Sequence, residues 1–374
     1  MTHREIDFLQ DAVVRWTGGV AGVAADEVRI APLPYSFGSP ATAGLWKVAA
    51  GGTTWCVKWI RHTSLWPGIA FIPPQFRQQF ADDFPWRFEL DMAESGIDRV
   101  MPPGLRTARL DRVVAPDALN AVMWWEWIDD DGSPWGIGDY TVAALGLGRL
   151  AARRREGAAA NDSLPSICRE IPRGYALRMY AERRTLAESL PRVRELEVGA
   201  HPEVLGALAA VGEGIWDELL ALGARIPGLL DELDALPQAF AHGDASPQNL
   251  LRPPDEPGTV VAIDWGFGSL LAVGFDLGQL LVGLVHAGVA PASGIPELVG
   301  PVLSAYVDGL RTEGWDVPEE VVRRGFVASV LCRSALDSLP LDQLGEQAGP
   351  DAARLWTERL SLVRVLLDLD VDGQ

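Results

Sequence analysis

One stretch limits what this chain can fold into more than any other: residues 241–268, AHGDASPQNLLRPPDEPGTVVAIDWGFG. An apolar approach, Ala239 to Ala241, runs into His242, Gly243 and Asp244, and after four intervening residues Asn249 opens the apolar pair Leu250 and Leu251. A breaker cluster follows from Pro253 to Gly258. The β-branched run Thr259 to Ile263 then delivers Asp264, Trp265 and Gly266. Two short strands joined by a turn predict a hairpin. A turn centred between Glu256 and Pro257 sets Asn249 opposite Asp264, and opposed side chains stand roughly 4.5–5.5 Å apart at Cβ. An amide and a carboxylate at that spacing offer oxygen ligands to one small hard cation. Mg²⁺ suits them, because it binds few protein groups and completes its shell with water and phosphate oxygens. A hairpin with polar ends is the plainer alternative, but it does not require this spacing.

A carboxylate free to orient a hydroxyl, here Asp244, beside a metal held by Asn and Asp is the working half of a phosphoryl-transfer site. HGDASPQN followed by AIDWG resembles the catalytic and metal-binding motifs of the aminoglycoside phosphotransferase family, relatives of the protein kinases that phosphorylate small molecules. His242, Asp244, Asn249 and Asp264 all fall where that family's HGDxxxxN and following DxG place them. The resemblance implies an α+β, bilobal protein-kinase-like fold, with an N-terminal antiparallel sheet lobe and a larger, mainly helical C-terminal lobe. Residues 1–128 would form a nucleotide-binding lobe ending in a hinge. Residues 129–374 would form the catalytic and substrate-binding lobe, with a helical substrate subdomain around 160–235. Carried over, Asp244 is the catalytic base and Asn249 and Asp264 are the Mg²⁺ ligands. His242 shapes the loop. Asp276, which could also cap the helix that follows, steadies it.

The N-terminal pattern supplies further expectations. Val28 to Leu33, Leu45 to Ala49 and Thr53 to Ile60 read as strands, the last two joined at Gly51 and Gly52. The small, turn-rich loop from Tyr35 to Gly44 would cover the nucleotide phosphates, with Ser36, Gly38 and Ser39 offering backbone or hydroxyl donors. It lacks the full GxGxxG pattern, and an ordinary hairpin loop fits as well. Of 32 basic residues only Lys47 and Lys58 are lysine, so each lysine needs a chemical reason. Lys58 lies within the apolar run WCVKWI and must find an anion. The resemblance supplies nucleotide phosphates and a helical carboxylate, for which Glu89 is the choice and Glu94 the fallback. Residues 61–83 read as an insertion of turns, and Arg99 to Val114 as two more strands. The aromatic strand AVMWWEWI places Trp125, Glu126 and Trp127 at the hinge. Later segments carry helical spacing.

Composition removes other classes. A net charge of −19 and a pI near 4.7 oppose sequence-independent nucleic-acid binding. That surface favours a cationic acceptor, though solubility alone also explains it. Three separated cysteines suggest neither a disulfide framework nor a metal site, and a cytoplasmic setting fits them. Residues 5–17 read as a short amphipathic helix rather than a signal peptide. The apolar window 270–290 is broken by Asp276, Gln279 and His286, which opposes a membrane span. The expected activity is Mg²⁺-dependent transfer of the γ-phosphate of ATP or GTP to a hydroxyl of a small molecule. An antibiotic is the first candidate acceptor, and a sugar or amino-alcohol metabolite the second. A non-catalytic nucleotide-binding scaffold is the rival reading, yet Lys58, Asp244, Asn249 and Asp264 are all present.

Overall fold

Alternation of side chains along β2 (Thr42–Ala50) sets the first sheet: every second residue, from Thr42 through Trp46 and Val48 to Ala50, is buried. The computed structural model describes residues 27–36, 38–166, 168, 172–344 and 350–371, together with Phe8 and Asp11. The helix expected over residues 5–17 lies outside the described residues but for those two. By its internal contacts the chain divides into two compact units, residues 1–96 with 107–129, and 97–106 with 130–374.

The first unit is built on a five-stranded antiparallel sheet in the order β1-β2-β3-β6-β5. Its other strands are β1 (Arg29–Pro32), β3 (Thr53–Arg61), β5 (Leu110–Asp117) and β6 (Asn120–Glu126). Gly51 and Gly52 close β2 onto β3 with φ of 56° and 80°, the left-handed pair that a two-residue hairpin demands. On one sheet face Trp46, Val48, Trp55, Val57 and Trp124 form a buried cluster; on the other, Ile60, Ala121 and Met123 pack against Leu90 of the helix Phe88–Glu94. Each fully buried side chain of this kind contributes roughly 1.5–3 kcal/mol. Period-two alternation puts Lys58 on the same face as Ile60, the face that this helix covers. Residues 74–83, expected as part of a turn-rich insertion, instead form an α-helix (Pro74–Asp83), after two short 3₁₀ turns. Proline at its first position suits a helix start.

The second unit is mainly helical and carries two small sheets. β4 (Leu105–Thr107) departs from expectation: it joins β8 (Leu250–Leu251) and β9 (Val260–Ala262) in the order β4-β9-β8. β7 (Gln238–Ala241) pairs with β10 (Ser269–Ala272), Phe240 opposite Leu270. The helices Ile137–Arg153 and Ile295–Thr312 approach until backbones touch. A Cβ added at Gly148 would lie 2.1 Å from the Tyr306 carbonyl oxygen, and one at Gly309 2.4 Å from that of Leu145. Among the described residues no helix is long and apolar enough to cross a membrane. The window 270–290 resolves into β10 and the buried helix Phe275–His286.

Candidate active site

Buried β7 delivers His242 into the interior, where its Nδ1 accepts the Asp244 N–H at 3.2 Å. Its Nε2 must then carry the proton, donated to the Ile263 carbonyl at 3.0 Å. His242 thus ties the loop to the end of β9 and packs on Trp265, ring centroids 4.5 Å apart. Gly243 turns the chain at φ 83°, where a Cβ would come within 2.1 Å of the Phe267 carbonyl. Only glycine fits there. Asp276 does not cap its own helix: its carboxylate accepts the N–H groups of His242 at 3.0 Å and Gly243 at 2.8 Å. Burial raises its pKa, and the bonds to the loop act against that rise.

The Asp244 carboxylate is held from two sides. Asn249 donates from Nδ2 to the Asp244 carbonyl at 2.9 Å and to its Oδ2 at 3.1 Å. Arg333 donates to Oδ1 at 2.9 Å and to the Gly243 carbonyl. The Asp244 side chain remains 37% exposed, so the group presents a face to solvent. Arg333 lies over the Phe267 ring at 4.5 Å and comes from a π-helical turn, Leu331–Ala335, a distortion that recurs at functional sites. Sequence reading missed Arg333. A lone cation in the apolar run SVLCRSAL was the available signal, the same one that singled out Lys58.

The hairpin exists, but its register is one residue from that expected. Leu250 faces Ala262 and Leu251 faces Val261, so Asn249 aligns with Ile263, whose N–H donates to its carbonyl at 2.9 Å. Asp264 lies one position beyond the pair. A one-residue slip in a regular strand would turn its side chain to the opposite face. Asp264 leaves the regular strand: at φ 59° it is the one non-glycine of positive φ among the described residues. That conformation costs about 1–2 kcal/mol for most residues, less for Asp, and such outliers cluster at functional sites.

In the first unit Lys58 Nζ lies 2.5 Å from Glu89 Oε2, both side chains 13% exposed. Glu94 instead faces Arg87 at 3.7 Å. Lys47, the other lysine, sits over the Trp127 ring at 4.0 Å. The hinge expectation is narrowed. Glu126 accepts the Arg109 N–H at 2.8 Å, its own N–H meets the Arg109 carbonyl at 2.9 Å, and the Trp127 N–H meets the Thr54 carbonyl at 3.3 Å. These donors are engaged in the sheet, and the Trp127 indole donates to Asp129 at 2.7 Å. Trp125 lies opposite Cys56 in the ladder, half-buried against the cluster that holds Ile60. In the β1–β2 loop the N–H groups of Ser39 and Gly38 close onto Ser36 O and Oγ, both at 3.1 Å. Backbone donation from them is therefore already used, leaving the Ser39 hydroxyl.

A metal fits the donor set. Asn249 uses its amide N–H groups on Asp244, which leaves its Oδ1 as an acceptor atom. Among the described residues no cluster of three or more His, Cys, Asp or Glu side chains could hold an ion. An amide oxygen and a carboxylate are donors of the kind that a hard divalent cation takes while it shares its shell with phosphates and water.

The fold is that of kinase-like small-molecule phosphotransferases. A family model described as the phosphotransferase enzyme family (APH) matches residues 147–320, which contain both the Asp244 and the Asp264 motifs, and bears out the resemblance read from them. No curated protein matches the chain in sequence. Solved structures share its fold. Spectinomycin phosphotransferase APH(9)-Ia, solved with ADP and spectinomycin, is 9% identical over 96% of this chain and 98% of its own, TM-score 0.54. Amicoumacin kinase hAmiN, solved with AMP-PNP, Ca²⁺ and its ligand, is 12% identical over 99% and 96%, TM-score 0.52. An APH(2") enzyme solved with GDP and kanamycin is 13% identical over 97% and 98%, TM-score 0.50.

Proposed function

We propose that this enzyme transfers the γ-phosphoryl group of a nucleoside triphosphate, ATP or GTP with Mg²⁺, to a hydroxyl of a small molecule, with Asp244 as the base. The observation that carries the reading is the hold on Asp244. One carboxylate oxygen is fixed by Arg333 and the other by Asn249, while a third of the side chain stays open. A carboxylate so fixed can align an acceptor hydroxyl and take up its proton as the O–P bond forms. General-base assistance of this kind is worth roughly 10²–10⁴-fold. Asn249 Oδ1 and Asp264 would hold the metal, which supplies charge neutralisation at the phosphate oxygens when bound. Lys58, kept in place by Glu89, would grip the non-transferred phosphates. Trp125, Glu126, Trp127 and Ser39 would line the nucleotide side in the first unit, and helices around 160–235 would shape the acceptor side in the second. Positioning and fixed charge dominate such a reaction, since little covalent chemistry falls to the protein.

Nucleotides and a divalent ion in the named fold relatives support the donor and metal readings. Spectinomycin and kanamycin in two of them support an antibiotic as first candidate acceptor, with a sugar or amino-alcohol metabolite second. The test is turnover read by product mass with Mg·ATP or Mg·GTP. Asp244→Ala should lower transfer at least about a hundredfold and leave nucleotide affinity within a factor of about two. Full activity in that variant refutes the assignment.

A further inference from the structure

Within the second unit lies a cavity of about 410 Å³, lined by Tyr180, Gln279, His286, Arg333, Asp337 and Ser338 among others, with Arg359 and Leu355 on its wall. Arg333 belongs to both places: it borders this cavity and grips Asp244. The same guanidinium therefore touches both the space and the candidate base.

The lining decides what such a space can hold. Two arginines face one carboxylate, and His286 is kept neutral, burial and then Arg359 and Arg333 pushing it down to about 4. Arg333 is neutralised by Asp244 and Arg359 is balanced by Asp337, so the lining carries no net charge to draw in a polycation. The one carboxylate in the lining is also taken. Asp337 accepts the Ser189 hydroxyl at 2.5 Å on one oxygen and the Thr185 hydroxyl at 3.0 Å on the other. An ammonium group would have to share those oxygens with the two hydroxyls. The arginines are no better placed to capture an anion. Arg359 donates to the carbonyls of Val285 at 3.0 Å and His286 at 2.7 Å, and Arg333 to Gly243 and Asp244. Bidentate anion recognition needs a free fork, and both forks are turned to the protein. The remaining polar groups of the lining are uncharged: the amides of Gln279 and Gln343, the Tyr180 phenol, itself bonded to Asp337, and Ser338, which donates to the Ser334 carbonyl and meets His286 at 2.9 Å. Its volume is near the lower end of small-molecule sites, roughly 300–1,000 Å³.

We propose that this cavity receives the acceptor and that the acceptor is an uncharged polyhydroxyl molecule of sugar or nucleoside size, rather than a polycation. The inference rests on the phosphotransferase reading for the word acceptor, but not for the ligand class. Calorimetric titration of the full chain with glucose and uridine as uncharged probes and kanamycin as the cationic one, with and without Mg·ATP, tests it. At least one uncharged probe should bind and give a product heavier by one phosphoryl group, with kanamycin at least tenfold weaker. Leu355→Trp, which fills the cavity, should weaken the uncharged probe at least tenfold while Mg·ATP affinity and melting temperature hold. Kanamycin binding as tightly as the best uncharged probe overturns the proposal. So does failure of both uncharged probes to bind, or a folded Leu355→Trp protein with unchanged affinity. If an uncharged probe binds but Mg·ATP does not, the phosphotransferase reading fails and the ligand class stands.

Discussion

Lys58→Met keeps the reach of the side chain and removes an ammonium 2.5 Å from Glu89 Oε2. A pair in full solvent contributes about 0–1 kcal/mol. Breaking a fully buried pair costs about 3–5 kcal/mol, because one charge stays behind in low dielectric. With both side chains 13% exposed, the expected loss lies between these limits, at about 2–3 kcal/mol. Urea unfolding should show that loss in Lys58→Met and again in Glu89→Leu. The double variant should lose less than the sum, since neither charge is then left against the apolar face of Ile60, Leu90 and Met123. Function should separate from stability in the same protein. If Lys58 grips phosphates, the double variant recovers stability yet binds nucleotide at least tenfold more weakly. A double variant that is stable and binds nucleotide as the parent does would refute the phosphate role. A single-variant loss below about 0.5 kcal/mol would refute the cost assigned to leaving one charge of the pair behind.

Three further outcomes follow from single contacts. Asp264→Asn should fold as the parent does, because Asn tolerates positive φ, whereas Asp264→Ala should lose about a further 1 kcal/mol in urea unfolding; both should lose transfer. Gly148→Ala would set a Cβ 2.1 Å from a backbone oxygen and should destabilise by at least about 1–3 kcal/mol. Gly138→Ala, with nothing within 4 Å, should be neutral or gain up to about 1 kcal/mol. His286 titrates near 6.5 when unfolded and about 4 when folded, so between those values the unfolded chain binds more protons. Its contribution, at most about 3 kcal/mol, is complete above pH 6.5 and fades as pH falls towards 4. His286→Gln should flatten stability against pH in that window, and an unchanged slope would count against the buried neutral imidazole.

How much of this was legible beforehand depended on whether the deciding contact was local. The β2–β3 hairpin follows from alternation and a Gly-Gly turn, and Lys58 from a cation in an apolar strand; both signals lie within a few residues. The β8–β9 register did not follow. Glu256 is held by Arg106 at 2.7 Å and accepts the Thr259 N–H at 3.0 Å, so the turn pivots on Glu256 itself instead of the following bond. Such a partner 150 residues away leaves no trace in periodicity. β4 reads as a strand of the first sheet by its place in the chain, yet the Val260 N–H binds the Gly104 carbonyl at 2.9 Å and draws it to β9. The alternating Asp368, Asp370 and Asp372 near the end of the sequence read as a solvated tail, yet Asp370 is 6% exposed and paired with Arg225 at 2.6 Å and Arg324 at 3.1 Å. Proximity to a terminus is a weak guide where the last helix packs against the body. Asp372 lies outside the described residues.

The base loop shows why a short motif can be so specific. Three groups from three elements converge on residues 242–244: Asp276 from the helix Phe275–His286, the Ile263 carbonyl beyond β9, and Arg333 from the π-helical turn. Each bond alone is worth only about 1–3 kcal/mol, too little to hold a surface loop against its own entropy. Together they leave the Asp244 backbone no alternative path, and Gly243 is required because that path passes within contact of the Phe267 carbonyl. The desolvation cost of a buried Asp276 is then intelligible: a neutral side chain could not accept two N–H groups with comparable strength. The rigidity exists before any ligand arrives, and that prior placement of charge is what a reaction governed by positioning needs from its protein.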